Sequence, residues 1–236
     1  MDIQWDFLFR CFFAGLKYIP VTLTLVFVPI TISLVIGYFI ATARVFKVPF
    51  LGKFLSVYVT IFRGIPNILI LIVINLIVLL KFDIVAQYLG LSIRMRDVNK
   101  IYVALFALTI YLIPRITETI RSALISVDLN QYEAGYSIGM SRGQIMRRII
   151  IPQMFPVMIP VFTNNFIGLM KNSAVVFIVG VVDVLNGALI EGADYYAFLE
   201  AYLAAAAIYW AMGLFFERVF IFLENYTGRY RKLVAK

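Results

Sequence analysis

From Tyr18 to Ala43 the chain contains no charged side chain. A helix needs about 20 apolar residues to cross the hydrocarbon core of a bilayer, and this stretch is long enough to do so. Further runs of the same kind follow. Residues 54–80 hold one charge, Arg63, and residues 101–126 are interrupted only by Arg115, Glu118 and Arg121. Residues 149–182 are too long for one simple crossing and are broken at Lys171-Asn172-Ser173, and residues 195–223 complete the set. In lipid every backbone N–H and C=O must be satisfied within its own segment, which favours helices. The sequence therefore predicts an all-α integral membrane protein with five transmembrane helices, built as one membrane domain over residues 1–236. Composition agrees: 63% of residues are hydrophobic and 14% charged, where soluble domains sit near a half and a quarter.

Several chemistries drop out at this point. The chain has no His and its single cysteine is Cys11, so an internal disulfide framework is impossible and a metal site is not expected. No Ser/His/Asp set, carboxylate pair or metal cluster is visible, and no catalytic residue is assigned. The opening MDIQWDFLFR carries two Asp and no basic leader, so it does not read as a cleaved signal peptide.

Charge distribution sets an expected orientation. The first connection carries Arg44, Lys47 and Lys53; residues 121–148 are net basic; and the tail carries Arg218, Arg229, Arg231, Lys232 and Lys236 against Glu217 and Glu224. The alternate segments are net acidic, chiefly through Asp183, Glu191, Asp194 and Glu200. Basic loops stay on the cytoplasmic side, which places the N-terminus outside and the C-terminus inside. Topology thus accounts for the net charge of +8 without a nucleic-acid partner.

The connection over residues 127–148 is longer and more ordered in pattern than a simple link. Asp128 is placed to cap a helix beginning near Leu129, because a short carboxylate accepts the free N–H groups of a first helical turn. Gly139 offers a tight turn, Ser141 caps a second helix over Arg142–Ile151, and Pro152 opens the fourth span. The expectation is a helix, a turn and a second helix lying along the membrane surface.

Glu133-Ala134-Gly135, three residues, Gly139, nine residues and then Ile149-Ile150-Ile151-Pro152 resemble the EAA signature of permease subunits of bacterial ABC importers. That signature reads EAA, three residues, G, nine residues, I, any residue, L, P. Gly135 for Ala and Ile151 for Leu are the departures. Phe62-Arg63-Gly64-Ile65-Pro66 is similar to the FRGTP motif of the polar amino-acid branch, and Met170-Lys171-Asn172-Ser173 stands where that branch has LKDTS or LKDSS. The resemblance extends over roughly residues 15–225. It implies the type I importer fold and a cytoplasmic coupling helix between the third and fourth spans. Glu133, Ala134, Gly135, Gly139, Met140, Ser141 and Arg142 would there face a separate ATPase, with Glu133 pairing a basic residue. It also implies a second permease, identical or related, two ATPase subunits that use ATP and Mg, and an extracytoplasmic binding protein. The segments around Asp183, Glu191 and Asp194 are candidates to dock that protein. The chain itself has no G-x-x-x-x-G-K-[ST] phosphate loop, so it binds no nucleotide by that device and needs no cofactor of its own. The bacterial cytoplasmic membrane is the implied location.

Charged or amide side chains inside a span are costly and mark a path or a pairing. Glu118 has Arg115 and Arg121 three residues to either side, placed to neutralise it. Asn165 and Asn172 are seven apart and share a helix face, with Gly168 between them. With Asn164, Lys171, Glu118, Arg115 and Arg63 they form the candidate substrate path. Interhelical hydrogen bonding is the competing role for the asparagines, and gate or structural pairing is the competing role for Arg63. The neutral amides on this face suit a neutral or zwitterionic amino acid such as glutamine or cystine better than a cationic one. A related permease for another small solute, and an ion-driven secondary transporter, remain the alternatives.

Overall fold

Central to the architecture is the third span, α5 (Lys100–Ile125), which is the most buried of the long helices. The computed structural model describes residues 3–128 and 130–234, with side chains through residue 227. Leu129, the side chains of Arg229, Arg231 and Lys232, and all of Lys236 lie outside the described residues. Helices α1 (Trp5–Leu16), α2 (Ile19–Val45), α3 (Leu51–Gly64) and α4 (Asn67–Tyr88) precede α5. After it come α6 (Asn130–Ser137), α7 (Arg142–Ile145), α8 (Ile151–Asn172), α9 (Val184–Ala193) and α10 (Phe198–Val234). Five of these helical segments are long and apolar enough to cross a membrane, which fulfils the expected count.

Side chains on all sides of α5 explain its position. Ala104, Leu108, Leu112, Ile116, Thr117 and Ile120 are almost wholly buried, and α2, α3, α4 and α8 all pack against the helix. Asn99 starts it by accepting a hydrogen bond from the Ile101 N–H at 3.0 Å, which satisfies one of the free donors of the first turn.

The run over residues 54–80 does not form one helix. It is split at Ile65-Pro66, with α3 starting at Leu51 and α4 continuing to Tyr88. A proline ring clashes with a preceding residue in the helical region and pushes it to extended backbone; Ile65 accordingly sits at φ −88°, ψ 129°. The expected second helix of the connection also differs. From Arg142 the chain runs through a wide π turn (Met146–Ile150) straight into α8, so it is one helical segment with the fourth span and not a separate surface helix. The break expected at Lys171-Asn172-Ser173 is present as a change of pitch: α8 tightens into a 3-10 segment over Ser173–Val179.

Two short elements were not foreseen. Helix α1 packs against α9 and α10, with Cys11 buried among Ala188, Ala201, Ala204 and Ala205. These small residues allow close helix approach. Asp183 ties the same end of the molecule together. It is fully buried, and its carboxylate accepts hydrogen bonds from the Asn186 N–H (3.1 Å) and the Tyr209 hydroxyl. Thr22 Oγ1 accepts from the Val184 N–H at 3.2 Å, joining α2 to the same corner. The Tyr18 ring wedges under Gly187, where an added Cβ would stand 2.2 Å from Tyr18 Cδ2. Overpacking of this kind costs about 1–3 kcal/mol. Gly187→Ala is expected to lower stability by that amount in denaturant titrations of the detergent-solubilised protein, whereas Gly168→Ala, which meets open space, should not.

Candidate functional site

Glu118 stands at the meeting point of three helices. Its Oε2 accepts from Arg44 Nη1 at the end of α2 at 3.0 Å and lies 4.0 Å from Arg63 Nη1 at the end of α3. Its Oε1 accepts from Arg121 on its own helix, at 2.8 Å from Nε and also from Nη2. Arg44 Nε further donates to Ser56 Oγ of α3 at 3.0 Å. The carboxylate is four-fifths withdrawn from solvent, and a charge so placed is tolerable only when paired and hydrogen-bonded.

The expected partner Arg115 takes no part in this pairing. Helical side chains lean toward the N-terminus of their helix. That tilt carries Arg121 back onto Glu118 but carries Arg115 away from it, onto Tyr111. The Arg115 guanidinium lies 3.9 Å from the Tyr111 ring centroid, and its Nη1 donates to the Tyr111 carbonyl at 3.3 Å. Arg44, counted in the sequence only as a basic loop residue, replaces it. A contact between elements 74 residues apart leaves no local signal.

Beside this cluster opens a cleft of about 300 Å³ lined by Arg63, Arg115, Val161 and Asn165. Three residues singled out from three separate spans thus converge on one space. Asn165 is positioned by donating from Nδ2 to Thr119 Oγ1 at 2.9 Å and to the Val161 carbonyl at 3.0 Å, so its amide oxygen is left for another donor. Gly168 adds open room on the same helix. The other candidates lie elsewhere. Asn164 and Lys171 are exposed, and Asn172 meets α4 through its backbone carbonyl, which accepts from Asn67 Nδ2 at 3.2 Å. Asn67, missed in the sequence, keeps a buried Oδ1 without a hydrogen-bond partner among the described residues.

The connection after α5 is well built. The Asp128 carboxylate accepts from the Asn130 N–H at 2.9 Å, as expected of a cap. Helix α6 ends in a left-handed Gly139 (φ 79°), with the Gly139 N–H bonded to the Tyr136 carbonyl and the Met140 N–H to the Gly135 carbonyl; this pattern satisfies the last carbonyls of a helix. Ser141 and Gln144 cap α7 reciprocally. Glu133 and Ala134 are exposed, together with Tyr136 and Ile138. Gly135 faces inward, where an added Cβ would stand 2.7 Å from Ile145 Cγ1; a bulky neighbour therefore explains glycine at that place. Two side chains seat the segment on the α2–α3 turn: the Arg142 guanidinium lies 3.7 Å above the Phe46 ring, and Tyr132 meets the same ring edge-on. Tyr132 also donates to Met146 Sδ at 3.4 Å, and burial pushes its phenol above the usual range, which keeps it a neutral donor.

Of the acidic positions expected to face an external partner, Asp194 is exposed and Glu191 half-buried. Asp183 is not available: as the buried cap of α9 it has no surface to offer.

Removing one member of a buried ion pair strands the others. Glu118→Gln is expected to destabilise the protein by about 1–3 kcal/mol in denaturant titrations. Arg63→Gln, at the long and half-exposed edge of the cluster, should cost less than about 1 kcal/mol.

Residues 33–226 match the family described as binding-protein-dependent transport system inner membrane component. The chain is 31% identical over 227 residues to the probable amino-acid ABC transporter permease protein PatM of Vibrio harveyi, covering 95% of this chain and 96% of that protein. It is 32% identical over 210 residues to the L-cystine transport system permease protein TcyL of Bacillus subtilis, covering 88% and 84%. Its fold superposes on a crystal structure of an amino acid ABC transporter with histidines at a TM-score of 0.77 and 27% identity, over 95% of this chain and 99% of that one. Span count, fold and sequence agree, and the chain belongs to the family of binding-protein-dependent transport inner membrane components, the multi-pass permeases of ABC transporters.

Proposed function

We propose that this chain is the translocation subunit of an ATP-driven importer that moves a polar amino acid, neutral or zwitterionic as glutamine or cystine are, into the cytoplasm. One observation carries the substrate reading: the cleft beside Glu118 is lined by Arg63, Arg115 and Asn165, and its nearest carboxylate is already engaged by Arg44 and Arg121. A guanidinium suits a substrate carboxylate, and the Asn165 amide oxygen suits an ammonium or amide donor. A second cation in the side chain would meet like charge with no free counter-ion. The relatives with amino-acid substrates in their names support an amino acid as the substrate.

The permease works with an identical or related second copy, two ATPase subunits that hold ATP and Mg, and an extracytoplasmic binding protein. The exposed face of α6, with Glu133, Tyr136 and Ile138, is the docking surface for the ATPase. The N-terminus lies outside and the basic loops inside, as charge asymmetry favours. Asp194 and Glu191 mark the outer side on which the binding protein seats.

Two measurements test this. The protein co-purified with its ATPase and binding protein should hydrolyse ATP in response to a neutral amino acid. Arginine and lysine should compete for uptake at least about tenfold more weakly, the effect of roughly 1.4 kcal/mol of unrelieved repulsion; selective arginine or lysine uptake would refute the assignment. Truncating one partner of an interfacial charge pair weakens association by 2–5 kcal/mol, so Glu133→Ala should weaken ATPase association at least about tenfold while leaving the unfolding transition in place. Unaltered assembly and transport in that variant would remove α6 from the docking role.

A further inference from the structure

The turn from α2 to α3 holds a second cleft, of about 470 Å³, lined in part by Arg44. Lys47, Lys53, Val48, Phe50 and Val57 are among the residues that line it, and no carboxylate does. The Arg44 charge is met by Glu118. Lys47 and Lys53 are exposed and form no ion pair among the described residues.

The backbone of the turn is unusual. Helix α2 closes with Lys47 in the left-handed region (φ 50°), its N–H bonded to the Arg44 carbonyl and the Val48 N–H bonded to the Ala43 carbonyl. Glycine ordinarily fills that place, and Lys stands there at a cost. Phe50 also has a positive φ (57°, with ψ −54°), which a bulky residue adopts rarely. The result turns the Phe50 ring outward, 91% exposed. Phe54, Val57 and Ile61 follow on α3, all more than half exposed. Their spacing sets them along one face of the helix. The opposite face is committed: Val59 packs with Ile40 and Ile113, and Gly52 lets α3 close on the Ala43 carbonyl of α2. Strained backbone at a site that leaves an aromatic ring and two lysines uncovered points to a ligand.

The two chemistries lie in a fixed order. Lys47 stands in the turn between α2 and α3 and Lys53 in the first turn of α3, and the apolar stripe runs from there toward Arg63 and the Glu118 cluster. We propose that this turn binds one anionic phospholipid, with the phosphate between Lys47 and Lys53 and an acyl chain along Phe54, Val57 and Ile61. Juxtamembrane Lys residues attract anionic headgroups, and their alkyl stems reach the interface while the rest of the chain stays apolar. A free phosphate would satisfy the lysines but leave the stripe uncovered, and a net-neutral lipid would cover the stripe but leave the lysines unmatched. The site shares no lining residue with the cleft at Arg63, Arg115 and Asn165, so its test does not depend on the transport reading.

The test is native mass spectrometry of the protein extracted with its membrane partners, titrated with phosphatidylglycerol and with phosphatidylcholine of the same acyl chains. The wild type should hold one phosphatidylglycerol per chain in preference to phosphatidylcholine. A basic residue near an anionic surface is worth roughly fivefold in affinity, so K47Q/K53Q should lose about thirtyfold of that preference, and K47R/K53R should keep it. F54S/V57S should weaken both lipids, and millimolar inorganic phosphate should displace neither. Equal retention of the two lipids by the wild type, an unchanged K47Q/K53Q protein, or displacement by phosphate would overturn the proposal. So would disulfide capture of a second copy of this chain through V57C, which would assign the stripe to a permease–permease face.

Discussion

The Glu118 carboxylate, held among Arg44, Arg121 and Arg63, is the interaction on which the rest of this architecture depends. An ionised group inside a membrane helix is tolerated only with partners in place, and here the partners sit at the ends of two other helices. Pairing therefore ties the ends of α2 and α3 to α5. The candidate substrate cleft is what remains beside the cluster once Arg63 has been drawn toward Glu118 and Arg115 has leaned onto Tyr111.

The same cluster connects the cleft to the surface segment that follows α5. Arg44 is two residues from Phe46, and Phe46 receives both the Arg142 guanidinium and the Tyr132 ring. Arg142 in turn begins the continuous helical segment that runs into α8 and presents Asn165 to the cleft. A displacement of α6 and α7 would thus reach the cleft by two routes, one along α8 and one through Phe46 and Arg44 to Glu118. Packed helices of this kind move as bodies and do not deform continuously, so a push on one end of the segment has a mechanical consequence at the other. The π turn over Met146–Ile150 is the one irregular stretch on the first route, and the Ile65-Pro66 break frees α4 from following α3 on the second.

What was legible in the sequence follows from the range of the physics involved. Span count was visible because the apolar runs are long and lipid requires helices. The Gly139 turn, the Ser141 and Asp128 caps and the change of pitch near Asn172 were visible because each is a local backbone requirement with a residue type that meets it. The extension of Arg142 into the fourth span was not, because Pro152 can sit in the first turn of a helix and the π turn lets the chain pass it. Helix α1 and helix α9 were too short to stand out among longer apolar runs. Arg44 was misjudged for a different reason. Its role depends on a residue in another span, and in a membrane protein a basic residue near a helix end already has a sufficient explanation in topology. The same sufficiency concealed Asp183, an acidic residue in a net-acidic segment that is in fact a buried cap.

Arg115 shows how such a misreading bears on mechanism. Had it paired with Glu118, the cleft would have lost one of its two cations and Asn165 would have faced a nearly neutral space. Because side-chain direction along a helix sends it to Tyr111 instead, its positive charge stays at the cleft wall with Arg63 and Asn165. That arrangement presents cationic donors and a neutral acceptor with no free carboxylate between them. Under the proposed function, selectivity at this point would be as much exclusion as attraction: a cationic side chain would be repelled before any contact is optimised, which is the cheaper way to separate ligands that share one backbone.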